Sequence, residues 1–231
     1  MYQIIVVGCG GIGGNYVKEL GRFLYKNNLA KQCKIIIVDG DLVEESNISR
    51  QPFLPEDIGR NKAEVMAEIL TNTFHIECGF SPDFIDNHFQ LKRIEEENIC
   101  TVLVGAVDNH ACRKVMHKYF REANTLYYFD AANEYSAGEV VVGVKISGNE
   151  IYPDRVQYFP EILEDNAVPK SEESCQTVNI SAPQHILTNL VAANLLLKCT
   201  IDILIDDFCS GGIYYFDAFK GYSQFREKNI W

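Results

Sequence analysis

The stretch I-I-V-V-G-C-G-G-I-G, Ile4 to Gly13, decides the fold, because an apolar β run enters a glycine-rich turn and leaves it on a helical stripe. Gly8 permits the tight strand-to-helix turn, Gly10 lets backbone amides approach a phosphate, and Gly13 lets the helix pack on the strand. Such a turn serves NAD, FAD or a nucleotide triphosphate alike. A second apolar run, Lys34 to Val38, ends in D-G-D. Its Asp39 stands about where a strand-end carboxylate accepts both ribose hydroxyls, and Asp41 follows on the same edge. That spacing still admits NAD. The polar run beyond it favours a triphosphate: Asn47, Arg50, Gln51 and Lys62 supply fixed donors and two cations, more than a helix-cradled pyrophosphate requires. Read one at a time, Asp39 and Asp41 also suit a surface strand end, and Arg50 and Lys62 suit solvated charges.

Asp108 follows V-L-V-G-A-V and so reaches the same carboxyl edge of the sheet. One carboxylate with phosphate oxygens and water is the ordinary way Mg²⁺ is held. Aspartate also favours the N-cap of a helix such as the one that follows, and both roles are open to it. Asn109 and Arg113 lie on the first turn of that helix, where Arg113 is either support for the site or a surface charge. The histidines at 75, 88, 110, 117 and 185 have no ligand spacing.

Taken in order, these pieces resemble the ThiF/MoeB/ubiquitin-activating-enzyme superfamily, also written ThiF/MoeB/HesA. The matching blocks are G-C-G-G-I-G at Gly8 to Gly13, V-D-G-D at Val38 to Asp41, S-N-I-S-R-Q at Ser46 to Gln51, D-I-G-R-N-K-A at Asp57 to Ala63, and V-D-N with an arginine four residues on, Val107 to Arg113. The resemblance implies ATP-dependent adenylation of a carboxylate, usually the C-terminal glycine of a ubiquitin-like or sulfur-carrier protein ending in Gly-Gly. ATP and Mg²⁺ are the expected cofactors. In that reading Asp39 fixes the ribose, Arg50 and Lys62 neutralise the triphosphate, Asp108 holds the metal, and Gly8, Gly10, Gly11, Gly13, Asp41, Asn47, Gln51 and Asn109 complete the nucleotide site.

The resemblance also implies a crossover loop over the site, a homodimer, and a role for Cys175 in S-E-E-S-C-Q-T. A cysteine at this junction often takes the activated acyl group as a thioester or takes part in sulfur transfer. The alternative is an ordinary loop cysteine, and Glu172 and Glu173 oppose the help a helix dipole would give its thiolate. Two departures stand out. None of the eight cysteines forms a C-x-x-C pair, so no zinc is expected. The chain also opens on a strand, without the preceding helix whose arginine reaches the partner subunit's ATP site in many relatives. An NAD(P)-dependent oxidoreductase and a catalytically silent scaffold for a ubiquitin-like partner are the competing readings.

At 231 residues and 47% hydrophobic, the chain is expected to form one domain, residues 1–231. A net charge of −11 argues against a nucleic-acid partner, and the N-terminus and the broken apolar run Ile186 to Leu197 against export or a membrane. The cysteines read as reduced and the protein as cytoplasmic. Strands at Gln3 to Val7, Lys34 to Val38, His75 to Phe80, Thr101 to Ala106 and Leu126 to Phe129 alternate with helices, and strands at Gly138 to Ile146 and Gly212 to Phe219 lack crossovers. The expected class is α/β: a Rossmann-like doubly wound, mostly parallel sheet extended by antiparallel C-terminal strands. Between them, about 147–176, lies a long irregular crossover loop with Pro153, Pro160 and Pro169, ahead of a helix expected to start near Asn179 to Pro183.

Overall fold

The computed structural model describes residues 1–166, 168–169, 171 and 184–227. Its strands are β1 (Tyr2–Val7), β2 (Cys33–Val38), β3 (Cys78–Ser81), β4 (Cys100–Gly105), β5 (Leu126–Asn133), β6 (Ala137–Ile146), β7 (Asn149–Tyr152), β8 (Gly212–Asp217) and β9 (Tyr222–Arg226). The helices are α1 (Gly11–Lys26), α2 (Lys62–Phe74), α3 (His88–Ile94), α4 (His110–Glu122), the single turns α5 (Arg155–Tyr158) and α6 (Glu161–Glu164), and α7 (Ile186–Asp206). One sheet runs in the order β3-β2-β1-β4-β5-β6-β8-β9, with β7 paired to β6. The first five strands are parallel and the rest antiparallel. The change of direction falls where the connection shrinks to residues 134–136, too short for a crossover.

Because successive side chains point to opposite faces, the apolar strands feed two cores. Ile4, Val6, Ile35, Ile37, Val102 and Val104 pack beneath α1, α2 and α7. Ile5, Val7, Leu103 and Tyr128 pack beneath Leu91 of α3 and Met116, Tyr119 and Phe120 of α4. Burial on both faces is why β1 reads as an unbroken apolar run from Ile4 to Val7. α7 has the length and hydropathy of a membrane span, 21 residues at 1.5. It also carries buried Thr188, Asn189 and Thr200, and Thr200 pairs with the buried Tyr16 hydroxyl of α1 at 2.8 Å, as a core helix does.

The expected fold class is the observed one, but two local expectations need correction. His75 does not begin a strand: at φ 56° it is the left-handed cap that ends α2, and β3 starts at Cys78. The stretch from 147 is not irregular throughout, since Ser147 and Gly148, both at positive φ, turn β6 back into β7, and α5 and α6 follow. Asn28, Asn98 and Asp207 also take positive φ, each where a helix or turn ends. The described part of α7 starts at Ile186, capped by the His185 side chain, which accepts from Leu187 N at 3.1 Å. The expected start at Asn179 to Pro183 lies outside the described residues.

Candidate active site

Strand register builds the site. Val7 pairs with Val38 on one side and Gly105 on the other, so β1, β2 and β4 end level. Beyond that edge Gly8 N donates to Val38 O and Ala106 N to Val7 O, both at 2.9 Å. Gly8 takes φ +89°, and a Cβ there would lie 2.6 Å from Ala106 O, so only glycine passes between the two neighbouring strand ends. β2 lies to one side of β1 and β4 to the other, which opens a crevice at the carboxyl edge where α/β sheets bind ligands. Its volume is about 1850 Å³, and its walls include Gly8, Gly10, Gly11, Asp39, Asp41, Asn47, Arg50, Gln51, Lys62, Asp108 and Asn109. Gly13 instead faces the strand: a Cβ would stand 2.0 Å from Gly8 O.

Asp39 is nine-tenths buried and already holds the loop together. Its Oδ2 accepts from Cys9 N at 2.5 Å and its Oδ1 from Asp41 N at 2.8 Å. Two acceptor lone pairs remain for ribose hydroxyls. Burial lifts its carboxyl above the ordinary range, the Asp41 charge adds to this, and Lys62 and the two amides oppose it. A raised carboxyl favours the free fold at acid pH and loses that contribution as pH rises through the folded value. The charged form is the one suited to ribose, so the sign for binding is the reverse. ATP affinity is expected to fall on acidification, more steeply than ATP's own phosphate titration explains. In Asp39→Asn, weaker throughout, calorimetry should show only the phosphate slope. Parallel slopes in both proteins would remove Asp39 from binding.

Asn61 was not singled out by the sequence reading, although asparagine just ahead of a helix is a cap signal. Its Oδ1 accepts from Glu64 N at 3.1 Å while its Nδ2 donates to the carbonyls of Asp39 (2.8 Å) and Asp41 (3.2 Å). It thereby ties the acidic turn to the first turn of α2 and aims Lys62 inward. Lys62 is 7% exposed, with Nζ 3.3 Å from Asp41 Oδ2. A lone buried ammonium costs several kcal/mol, and the Asp41 carboxylate offsets that cost by holding the cation in place. Neither residue is a solvated surface charge.

Asn47 is buried and closes its turn, its Oδ1 accepting from Glu44 N and its carbonyl from the amides of Arg50 and Gln51. The Arg50 guanidinium donates to Gln184 Oε1 at 3.4 Å. Gln51 lies against Gly10, 8% exposed, and its Oε1 has no partner among the described residues.

Asp108 is exposed at the mouth of the crevice. The helix cap considered for it belongs to Asn109, whose Oδ1 accepts from the amides of Ala111 (2.7 Å) and Cys112 (3.3 Å). That leaves the Asp108 carboxylate at the strand edge and commits the Asn109 carbonyl to the cap. Arg113 is not a surface charge. Its Nη2 donates to Val107 O at 2.7 Å, bracing the residue before Asp108, and its Nε stands 3.5 Å from Asp130 Oδ1 without a hydrogen bond. Asp130, 1% exposed, also accepts from Tyr128 OH (2.6 Å) and Arg155 Nε (3.2 Å), and Arg155 pairs in turn with Glu139. Two guanidiniums and two carboxylates thus balance charge under the start of α4. Burial raises the Glu139 carboxyl while Arg155 and Arg113 oppose it. Asp130 was legible only as an acid interrupting an apolar strand, and Arg155 and Glu139 carried no signal at all.

The donor set fits Mg²⁺. Asp108 offers one carboxylate at the strand edge, the donor type that Mg²⁺ takes beside phosphate oxygens and water, and among the described residues no three His, Cys, Asp or Glu side chains gather to hold a metal by themselves. Cys175 lies outside the described residues. The crevice continues past the glycine loop and the acidic turn to Glu139, Arg155, Phe159, Tyr215 and Tyr222.

The profile of the ThiF family matches residues 1–229. Ubiquitin-like modifier-activating enzyme 5 of Aedes aegypti is 28% identical over 57% of the chain and 34% of its own length. SAMP-activating enzyme E1 of Haloferax volcanii is 23% identical over 94% of the chain and 73% of its own. The chain therefore spans about a third of the first relative and most of the second. Among solved structures, E. coli MccB with AMPCPP and MccA superposes with a TM-score of 0.69 at 20% identity, over 99% of the chain and 65% of its own, a likeness of fold.

Proposed function

The chain belongs to the ThiF family, and from that premise we propose that it adenylates the C-terminal glycine carboxylate of a ubiquitin-like or sulfur-carrier protein at the expense of ATP. The observation that carries this is the meeting, at one sheet edge, of a phosphate-approaching glycine loop, a buried carboxylate and a buried lysine, in a crevice with space for a second substrate. The carboxylate oxygen forms a bond to the α-phosphorus while the bond to the bridging oxygen of pyrophosphate breaks, giving acyl-adenylate and pyrophosphate. The attacking group is already ionised at neutral pH, so no general base is needed. Rate comes from positioning and charge. Asp39 orients the ribose, amides of the Gly10 turn and Lys62 meet the phosphates, Arg50 takes up charge on departing pyrophosphate, and Asp108 would hold Mg²⁺, which neutralises phosphate charge when bound.

ATP–pyrophosphate exchange dependent on a partner ending in Gly-Gly tests the proposal, and no exchange with any such partner would defeat it. A thermal shift with NAD(H) but not ATP·Mg²⁺ would transfer the site to the oxidoreductase reading, and a shift with ATP·Mg²⁺ without exchange to the scaffold reading. Homodimerisation is proposed with it on the resemblance alone, and a cytoplasmic setting on the composition and the cysteines.

Thioester formation on Cys175 is the proposed second step: its thiolate bonds to the acyl carbon and AMP leaves. Cys175→Ala is expected to keep pyrophosphate exchange and lose any reductant-sensitive adduct with the partner on gels. An undiminished adduct on the variant assigns the acceptor role to another thiol.

A further inference from the structure

Asn189 is a fully buried amide on α7, a helix whose neighbouring buried positions are mostly apolar. A buried amide that served packing alone would be better replaced by leucine, since polar groups are buried at a cost unless hydrogen-bonded. Its side-chain hydrogen bonds among the described residues lead to the candidate site. Nδ2 donates to Arg50 O at 3.3 Å, and Oδ1 accepts from Asn133 Nδ2, on the crevice wall, at 2.8 Å. The amide also lies so close to the first residue of α1 that a Cβ on Gly11 would stand 2.1 Å from Nδ2. The Arg50 side chain is bound by Gln184, two residues ahead of α7. The start of α7 therefore addresses Arg50 at both backbone and guanidinium.

We propose that Asn189 is a positioning residue for nucleotide binding, one that sets Arg50 against the N-terminal turn of α1 through a hydrogen bond to the Arg50 carbonyl. The inference rests on the reading of the crevice as an ATP site. Asn133 is fixed by the same amide, and its Oδ1, without a partner among the described residues, is the second wall atom whose orientation depends on Asn189.

Asn189→Asp is the sharpest test, because the new side chain has the same shape and keeps the acceptor for Asn133, yet as a carboxylate it cannot donate to Arg50 O. In the full chain, ATP·Mg²⁺ affinity by calorimetry is expected to fall at least tenfold at pH 8. The gap to the parent protein should narrow toward pH 6, as the buried carboxyl takes up a proton and regains a donor. A general loosening of the fold would follow the same pH trend in the thermal melt of the nucleotide-free variant, so the affinity gap is expected to exceed the loss that the variant's own melting shift accounts for at each pH. A folded variant that binds within twofold of the parent at pH 8, or with a constant gap, overturns the proposal. Should the variant not fold, hydrogen exchange on the parent protein decides. ATP·Mg²⁺ is expected to protect residues 186–193 together with the glycine loop, and protection of the loop without any change in α7 overturns the proposal. If ATP protects nothing in the parent protein, the reading of the crevice fails first, and the inference with it.

Discussion

Asp108→Ala is expected to remove ATP–pyrophosphate exchange, by about three orders of magnitude or more, while the chain stays folded. The two halves of this expectation have separate causes. The carboxylate stands exposed at the end of β4, where it would hold Mg²⁺ against the phosphates and so acts on the step in which charge builds on departing pyrophosphate. The cap of α4 comes from Asn109 and the brace on Val107 from Arg113, so the helix keeps its anchors when Asp108 is truncated. Exchange assays beside a thermal melt check both halves. Substantial exchange by a well-folded variant would take Asp108 out of the mechanism.

Gly13→Ala is expected to be the most damaging substitution of a single methyl group in the glycine loop, destabilising the chain by roughly 2–4 kcal/mol and taking ATP binding with it. The new Cβ would lie 2.0 Å from Gly8 O and 3.0 Å from its carbonyl carbon, both backbone atoms fixed by the pairing of Gly8 N with Val38 O. Something must shift, and what shifts is α1 against β1. Gly10→Ala is the informative contrast. Its nearest neighbour, Gln51 Nε2, would be 3.6 Å away, an ordinary contact, so the methyl fits the free protein but occupies the approach of a phosphate. It should lose affinity out of proportion to stability. Denaturant midpoints and ATP titrations of the two variants check this, and equal stability losses would show that the loop tolerates neither for the same reason.

The parallel core was legible because its cause is local. An apolar run buried on both faces, ended by glycine or aspartate and followed by a helical stripe, has few other ways to satisfy its backbone and hide its side chains. The same locality exposed the site's nearest residues, since Gly8, Asp39 and Asp108 each follow directly from a strand end, and strands that end level bring such residues together. Short elements were harder to see. β3 spans four residues, β7 depends on a two-residue turn at Ser147 and Gly148, and α5 and α6 are single turns, too brief for periodicity to show.

By itself, then, the order of residues determined a doubly wound sheet with a glycine-rich turn at its carboxyl edge and named most of the polar groups around it. Only the tertiary structure decided what those groups do to one another. Asn109 rather than Asp108 caps α4, Asp39 spends two lone pairs on the glycine loop, and Arg113 turns inward to a charge network with Asp130, Arg155 and Glu139. Asn189 reaches Arg50 across 139 positions of chain. The physical reason is range. Strand and turn preferences act between neighbours and are written in consecutive residues, whereas a hydrogen bond or ion pair between distant segments exists only after the sheet has set their separation, and no spacing along the chain records it.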